Sequence, residues 1–368
     1  MRVLVTGSDG FIGKNLLSHL SLRSAVTVLP VTRATTRGEL TRAAAEADFV
    51  FHLAAVNRPP DASEYAPGNI GPARALCDAL AAAGNKASIV LASSLQVETA
   101  SPYGMSKLAA EQVFAGHRTA LGAPLAIFRL PNVFGKWSRP NYNSVVATFC
   151  HNIARDLPID IHDPKKSIPL VYVDDVVAAF LRCMDHGFPD KPTASVEPVY
   201  RSTLGELAEL IRGFRSCRDT LAIGPVGGGF ERALYATYVS FLPTERFVYD
   251  LKKYEDARGR FVEFLKSASG GQLSFFTARP GVTRGGHYHH SKTEKFLVVS
   301  GRALFKFRNL VTGERYEINT SGESPQVVET VPGWAHDITN VGESELTVML
   351  WANEVFDRAR PDTYESRL

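Results

Sequence analysis

The 368-residue chain has little of what marks specialised classes of protein. It holds four cysteines, Cys77, Cys150, Cys183 and Cys217, none of them in a C-x-x-C pair. That excludes a disulfide framework or a zinc ribbon and predicts free thiols in a reducing compartment. No apolar run approaches the roughly 18–20 residues that cross a bilayer, and a strand-like run starts at Arg2 with no basic and apolar leader before it, so a cytoplasmic protein without membrane attachment is expected. Charge of one sign is not in excess either: 41 basic residues face 38 acidic ones, for a formal net charge of +3. With no run of like charges, electrostatics gives no ground for a nucleic-acid or membrane partner. Internal repeats and low-complexity tracts are absent as well.

What remains is an ordinary globular composition, 45% hydrophobic and 21% charged, in a chain longer than one hydrophobic core usually supports. Two domains are therefore expected. In the first half, short β-branched runs alternate with helical patterns: Arg2 to Thr6 then Phe11 to Leu22, Val26 to Val31 then Leu40 to Ala47, Phe49 to Ala54 then Gly71 to Ala83. Further strands are read at Ala87 to Ser93 and Pro124 to Leu130, with a helix from Lys107 to Leu121 between them. Such alternation predicts an α/β Rossmann-type, doubly wound parallel sheet. From about Leu242 the pattern turns to alternating strand-like runs between Gly, Pro and polar turns, from Gly259 to Leu265 through Leu346 to Ala352, which predicts an all-β barrel or jelly roll. The joint falls between Gly224 and Pro243, and the domains are read as 1–243 and 244–368.

The first segment with chemical content is Val3-Leu-Val-Thr-Gly7-Ser-Asp-Gly10-Phe-Ile-Gly13. Glycines after a strand and at the opening of an apolar helix let the backbone approach a pyrophosphate, whose charge the helix N-terminus favours. The end of the second strand reads Pro30-Val31-Thr32-Arg33, with no carboxylate for a ribose 2′-hydroxyl. A cation there suits a 2′-phosphate, so NADPH is the expected cofactor, with Arg33 its contact and Arg37 the alternative.

The pair Tyr103-Gly-Met-Ser-Lys107 places a phenol and an ammonium on one helix face, where the charge is expected to lower the phenol pKa. The bare pattern is weak, since Tyr249 to Lys253 and Tyr288 to Lys292 also match it. The setting after Ser93-Ser94 singles out Tyr103. With the G-x-x-G-x-x-G spacing, this half resembles the extended, sugar-nucleotide branch of the short-chain dehydrogenase/reductase superfamily. The resemblance implies a catalytic set of Ser94, Tyr103 and Lys107, with Ser93 the fallback for the hydroxyl. It places the cofactor against Gly7, Gly10, Phe11, Ile12, Gly13, Arg33, Leu53, Ala54, Ala55, Tyr103, Lys107 and Pro131, and the substrate at Ser94 and Asn132. Arg129-Leu-Pro-Asn132-Val-Phe-Gly135 and Tyr172-Val-Asp-Asp175 look like landmarks of that branch. Ser94-Leu95-Gln96 stands where dehydratases have Thr-Asp-Glu, so dehydration is not expected.

Late in the chain come Gly281-(x5)-His287-x-His289-(x4)-Glu294-(x6)-Gly301 and Gly333-(x2)-His336-(x3)-Asn340. Two histidines one residue apart share a strand side, and a carboxylate and a third histidine from neighbouring strands complete an N3O set. His287, His289, Glu294 and His336 are thus the expected ligands of a divalent metal, Zn2+ by preference and Mn2+, Fe2+ or Ni2+ by compatibility. The spacing fits the two cupin motifs, except that Val331 holds the motif-two proline place with Pro332 following. Asp256-Ala-Arg258-Gly259-Arg-Phe261-Val-Glu263 and Arg284-Gly-Gly-His287 resemble the cupin 3,5-epimerases of deoxysugar nucleotides. That resemblance puts Arg284 at the substrate and offers His287 as a metal-free base. If His287 holds metal, His290 or Tyr288 becomes the candidate.

The tandem resembles the bifunctional reductase–cupin enzymes of UDP-N-acetyl-L-fucosamine synthesis. The likeness extends through Pro131-Asn-Val-Phe-Gly-Lys-Trp137, Asn141-Tyr-Asn-Ser-Val145 and Glu294-Lys-Phe-Leu-Val-Val-Ser-Gly301. It implies C3 epimerisation of a UDP-2-acetamido-2,6-dideoxy-hexos-4-ulose in the cupin, then NADPH-dependent reduction at C4 to UDP-2-acetamido-2,6-dideoxy-L-talose, for capsule or O-antigen polysaccharide. The chemistry sets the order, because the C3 proton is acidic only while C4 is a ketone. A homodimer is expected by analogy. The competing reading is a single-activity NAD(P)-dependent 4-epimerase or reductase with a cupin that only binds sugar.

Overall fold

The computed structural model describes all residues except 189–190, 248, 290–291, 311–312, 331–333 and 360. Two compact units divide the chain, the first formed by Met1–Ile211 with Arg232–Pro243 and the second by Arg212–Glu231 with Thr244–Leu368. Between them the chain passes through β1 (Arg2–Thr6), α1 (Phe11–Leu20), β2 (Thr27–Val31), α2 (Arg37–Glu46), β3 (Phe49–His52), α3 (Tyr65–Ala82), β4 (Ser88–Ser94), α4 (Pro102–Leu121), β5 (Leu125–Leu130), β6 (Asn132–Phe134), α5 (Val145–Ile153), β7 (Ser167–Tyr172), α6 (Val173–His186), β8 (Thr193–Ala194), β9 (Tyr200–Thr203), α7 (Leu204–Thr220) and α8 (Gly229–Ser240).

The main sheet of the first unit runs β2-β1-β3-β4-β5-β8 with every pair parallel. Its central strands are apolar on both faces: all four residues of β3 are buried, as a parallel sheet covered on two sides requires. Leu16, Leu20, Val176, Val177 and Phe180 cover one face, and Leu76, Leu80, Ala110 and Phe114 the other. This is the doubly wound α/β architecture the alternation predicts. The chain reverses direction across the sheet between β1 and β3, and their C-terminal ends open the crevice where such folds bind ligands.

One boundary differs in a way that matters. The helix expected from Lys107 starts at Pro102: proline suits the first helical position and Ser101 caps it, its Oγ accepting from the Gly104 N–H at 3.1 Å. Tyr103 therefore sits in the first turn of α4 rather than in the loop before it.

The second unit continues with β10 (Lys253–Asp256), β11 (Gly259–Ser267), β12 (Gly271–Ala278), β13 (Thr283–Tyr288), β14 (Glu294–Ser300), β15 (Arg302–Asn309), β16 (Arg315–Ser321), β17 (Val327–Glu329), β18 (Trp334–Asn340), β19 (Leu346–Ala352) and β20 (Tyr364–Glu365). They form antiparallel sheets ordered β10-β11-β12-β19-β14-β17 and β16-β15-β18-β13-β20. Their inward residues Phe276, Phe296, Val298, Phe305, Phe307, Ile338, Leu346 and Val348 make one core, which is the cupin jelly roll. Segment Leu221–Ile223 joins this unit through Lys266, whose N–H donates to the Leu221 carbonyl and whose carbonyl accepts from the Ile223 N–H.

Candidate functional site

In the first unit, the turn after β1 is built to be touched. Gly7 holds φ +65°, and a Cβ there would lie 2.8 Å from the Ala54 backbone. A Cβ on Gly13 would lie 2.2 Å from the Gly7 carbonyl oxygen. Only glycine lets β1, α1 and the stretch Leu53 to Ala55 close this tightly. Thr6 Oγ1 accepts from the N–H groups of Leu53 and Ala54 at 3.2 Å each, pinning that stretch to the turn. Gly10 caps α1 with no side-chain bond, so no side chain takes up the first-turn N–H groups that an anion site uses. The cradle fits a dinucleotide. Gly13→Ala is expected to weaken nicotinamide-dinucleotide binding at least tenfold and lower the melting temperature, since the methyl must push into backbone; fluorescence titration and calorimetry read both. Arg33 is exposed two residues beyond β2, and Arg37 is exposed at the start of α2.

At the end of β4, Ser94 is half-buried and hydrogen-bonded to the Tyr103 phenol. Ser93 is committed elsewhere: its Oγ donates to Glu111 Oε1 at 2.5 Å, and Arg129 holds the same carboxylate through two bonds of 3.2 and 2.8 Å. The Tyr103 phenol thus meets Ser94 and not Ser93, while Lys107 is held at the Ala92 carbonyl of the same strand. Burial pushes the Tyr103 phenol up to about 12, against the Ser94 hydrogen bond. This is the reverse of the lowering expected from Lys107. The Lys107 ammonium is buried and donates to the Ala92 carbonyl at 2.7 Å. Burial lowers it to about 8, opposed by Glu111. Buried His52, bonded to Thr6 Oγ1 at 3.0 Å, is pushed down to about 3 by burial and by Lys107. His52, Glu111 and Tyr65, whose ring lies 5.7 Å from that of Tyr103, escaped the sequence reading. Only Glu111, one helical turn beyond Lys107, left a signal. Pro131 and Asn132 open the strand segment after β5, and Asn132 donates to the Pro169 carbonyl at 3.0 Å.

In the second unit, His287, His289, Glu294 and His336 converge, one ligand atom from each lying within 4.8 Å of the others. A bulge makes this possible. The register of β13 against β18 shifts between Gly285 and His287, with Gly285 at φ +96° and Gly286 at φ +78°, and the extra residue sets His287 opposite His336. Glu294 enters from the start of β14, and His289 lies just past the end of β13. His289 Nε2 is 3.1 Å and His336 Nε2 3.5 Å from Glu294 Oε2. Both His336 ring nitrogens are buried without a well-formed hydrogen bond. Unpaired imidazole nitrogens beside a buried carboxylate fit a cation of the Zn2+ class. Burial raises the cost of ionising Glu294, but the His289 bond and the close approach of His336 outweigh it and hold the carboxyl far below its usual range. Burial, then the neighbouring His336, lowers His287 to about 4.

Both shifts act with the same sign on stability. Both folded pKa values lie below the unfolded ones of about 4.3 and 6.5, so His287 costs stability as pH falls from about 6.5 towards 4, and the stabilisation from Glu294 is lost only below about 4.3. Without metal, the barrel's melting temperature is expected to drop between pH 7 and pH 4, which a calorimetric pH series checks.

His287, Glu294 and His336 line a cavity of about 140 Å³ with Phe276, Arg284, Phe296 and Asp337. Arg284 donates to the Thr277 carbonyl at 2.7 Å and lies over the Phe276 ring at 5.1 Å. Asp337, unforeseen in the sequence, has a buried, unpaired Oδ1 and is raised by that burial. Tyr288 stacks on Tyr364 at 5.3 Å and does not line the cavity. His290, Val331 and Pro332 lie outside the described residues.

Over residues 3–194 the chain matches the NAD dependent epimerase/dehydratase family, and over 254–364 the polysaccharide biosynthesis C-terminal domain. It is 55% identical, over 99% of its length and 98% of the relative's, to the UDP-2-acetamido-2,6-beta-L-arabino-hexul-4-ose reductase of Pseudomonas aeruginosa. The crystal structure of the capsular polysaccharide assembling protein CapF from Staphylococcus aureus matches it at TM-score 0.94 and 40% identity, covering 100% of both chains. A UDP-glucose 4-epimerase of Thermotoga maritima covers 66% of this chain, with 98% of its own chain matched, at TM-score 0.56 and 19% identity, a likeness of fold. Among the described residues no helix is long and apolar enough to cross a membrane.

Proposed function

Because the chain belongs to the NAD dependent epimerase/dehydratase family and carries the polysaccharide biosynthesis C-terminal domain behind it, we propose a two-site enzyme that epimerises and then reduces a sugar nucleotide for surface polysaccharide. The substrate class comes from the whole-length likeness to the Pseudomonas aeruginosa reductase and to CapF. We take it to be a UDP-linked 2-acetamido-2,6-dideoxy-hexos-4-ulose.

One observation supports the reductase reading above the rest: the Tyr103 phenol is bonded to Ser94, with Lys107 buried on the Ala92 carbonyl of the same strand, in a unit whose Gly7–Gly13 turn has no room for side chains. A bound nicotinamide supplies the hydride to C4. Tyr103 gives its phenolic proton to the C4 oxygen, which Ser94 orients. Lys107, held by the Ala92 carbonyl and charged below pH about 8, favours the phenolate left behind. Arg33, with no acid at the end of β2, supports NADPH over NADH.

Epimerisation belongs to the cavity of the second unit. There His287, His289, Glu294 and His336 would hold a divalent cation, which supplies charge stabilisation for an enolate oxygen. Arg284 lines the same cavity and offers a second positive group. Of the four cluster residues only His287 is not fully buried, so it is the imidazole open to a substrate. A nitrogen that holds a cation cannot also take the C3 proton. Metal-loaded and metal-free chains, incubated with the 4-keto sugar nucleotide in deuterium oxide without NADPH, therefore tell the two roles of His287 apart. Deuterium at C3 with the metal-loaded chain and little without metal, followed by oxidation of NADPH once it is added, is the expected result. NADPH oxidation with no deuterium at C3 would instead leave the cupin a sugar-binding module beside a single-activity reductase.

A further inference from the structure

The four cluster residues lie on the barrel, yet one is oriented from the C-terminus. His289 Nδ1 meets the Asp362 carbonyl oxygen at 2.6 Å. A carbonyl only accepts, so Nδ1 must carry the proton, and Nε2, the nitrogen 3.1 Å from Glu294, becomes the one able to hold a cation.

The segment that brings this carbonyl is fastened along its length. Asp362 Oδ2 accepts from the Lys292 N–H at 2.8 Å, and the buried Lys292 ammonium donates to Thr363 Oγ1 at 2.8 Å and to the Pro361 carbonyl at 3.4 Å. Then β20 pairs with β13, His287 opposite Glu365 and Tyr288 opposite Tyr364. Past it, Ser366 N–H donates to the Gly286 carbonyl at 2.8 Å and Arg308 donates to Ser366 Oγ at 3.0 Å. Asp362 itself holds φ +38°, a conformation unfavourable for a residue with a side chain and kept only where its surroundings impose it. The bonds on both sides of it do so.

We infer that Pro361–Ser366 is a strap that completes the metal centre, with the Asp362 carbonyl fixing the tautomer and aim of His289. The inference rests on reading His287, His289, Glu294 and His336 as a cation site. Outer partners of this kind typically change metal affinity 10- to 100-fold when removed.

The experiment compares the full chain, a chain ending at Asp357 and the Asp362→Ala variant, each titrated with Co2+ or Zn2+ against a chromophoric chelator. Far-UV circular dichroism of each sample reports whether the sheets are kept. The full chain should bind one equivalent, the shortened chain at least tenfold more weakly, and Asp362→Ala, which loses the anchor to Lys292 but not the carbonyl, between the two. A folded shortened chain that binds metal as tightly as the full one overturns the strap. Should that chain not fold, unchanged affinity in Asp362→Ala overturns it. No binding by the full chain would overturn the cation site itself.

Discussion

Tyr103→Phe is expected to lower the rate of NADPH-dependent ketone reduction by roughly 10²- to 10⁴-fold, the usual worth of a positioned proton donor, while NADPH still binds. The phenol stands on the first turn of α4, bonded to Ser94. Phenylalanine keeps the ring and its contact with Tyr65 but has no proton to give to the C4 oxygen. Ground-state binding of the cofactor depends instead on the Gly7–Gly13 turn, so the loss should appear in kcat with fluorescence titration of NADPH unchanged. The wild-type pH profile adds a second check. Burial holds the phenol protonated up to about 12, so it cannot give a falling limb near neutrality. Lys107, lowered to about 8, loses its charge as pH rises through that value, and the reduction rate should fall there. A Tyr103→Phe enzyme that oxidises NADPH at the wild-type rate would defeat the reductase assignment.

In the barrel, Glu294→Gln should abolish metal binding at micromolar concentrations and slow C3 deuterium exchange by about 10²-fold or more. The replacement keeps volume and shape, so the core around Phe296 and Phe305 is not opened. It removes the only carboxylate of the cluster, the group that His289 and His336 face at 3.1 and 3.5 Å. Losing the charged partner of a buried set usually costs more than the set's net worth, because the remaining polar groups stay desolvated. The first unit should still reduce a substrate whose C3 is already inverted, so turnover of that compound by the same sample shows whether the damage is confined to the barrel. Undiminished C3 exchange together with undiminished Co2+ binding would remove Glu294 from the centre.

Much of this was legible along the chain because it depends on near neighbours in sequence. The Gly7, Gly10 and Gly13 spacing, the four-residue step from Tyr103 to Lys107 and the His287-x-His289 step each set a local geometry that a strand or a helix turn enforces. The doubly wound sheet and the jelly roll follow from hydrophobic period in the same way. Reading α4 from Lys107 placed Tyr103 in a loop because the capping signal, Ser101 followed by Pro102, was passed over. The expected lowering of the phenol pKa failed for a different reason: spacing gives direction around a helix, but whether an ammonium reaches a neighbour or a backbone carbonyl is decided by what else is buried there.

Sequence by itself determined the two architectures, the glycine cradle and the local steps Tyr103 to Lys107 and His287 to His289, since these rest on backbone conformation and side-chain periods shorter than ten residues. Tertiary structure alone decided that Ser93 is bound to Glu111 and Arg129, that a bulge at Gly285 turns His287 towards His336, and that Asp362 steadies His289 from 73 residues away. The physical reason is that hydrogen-bond partners and desolvation are set by distance in space, and chain positions far apart carry no local pattern that encodes it.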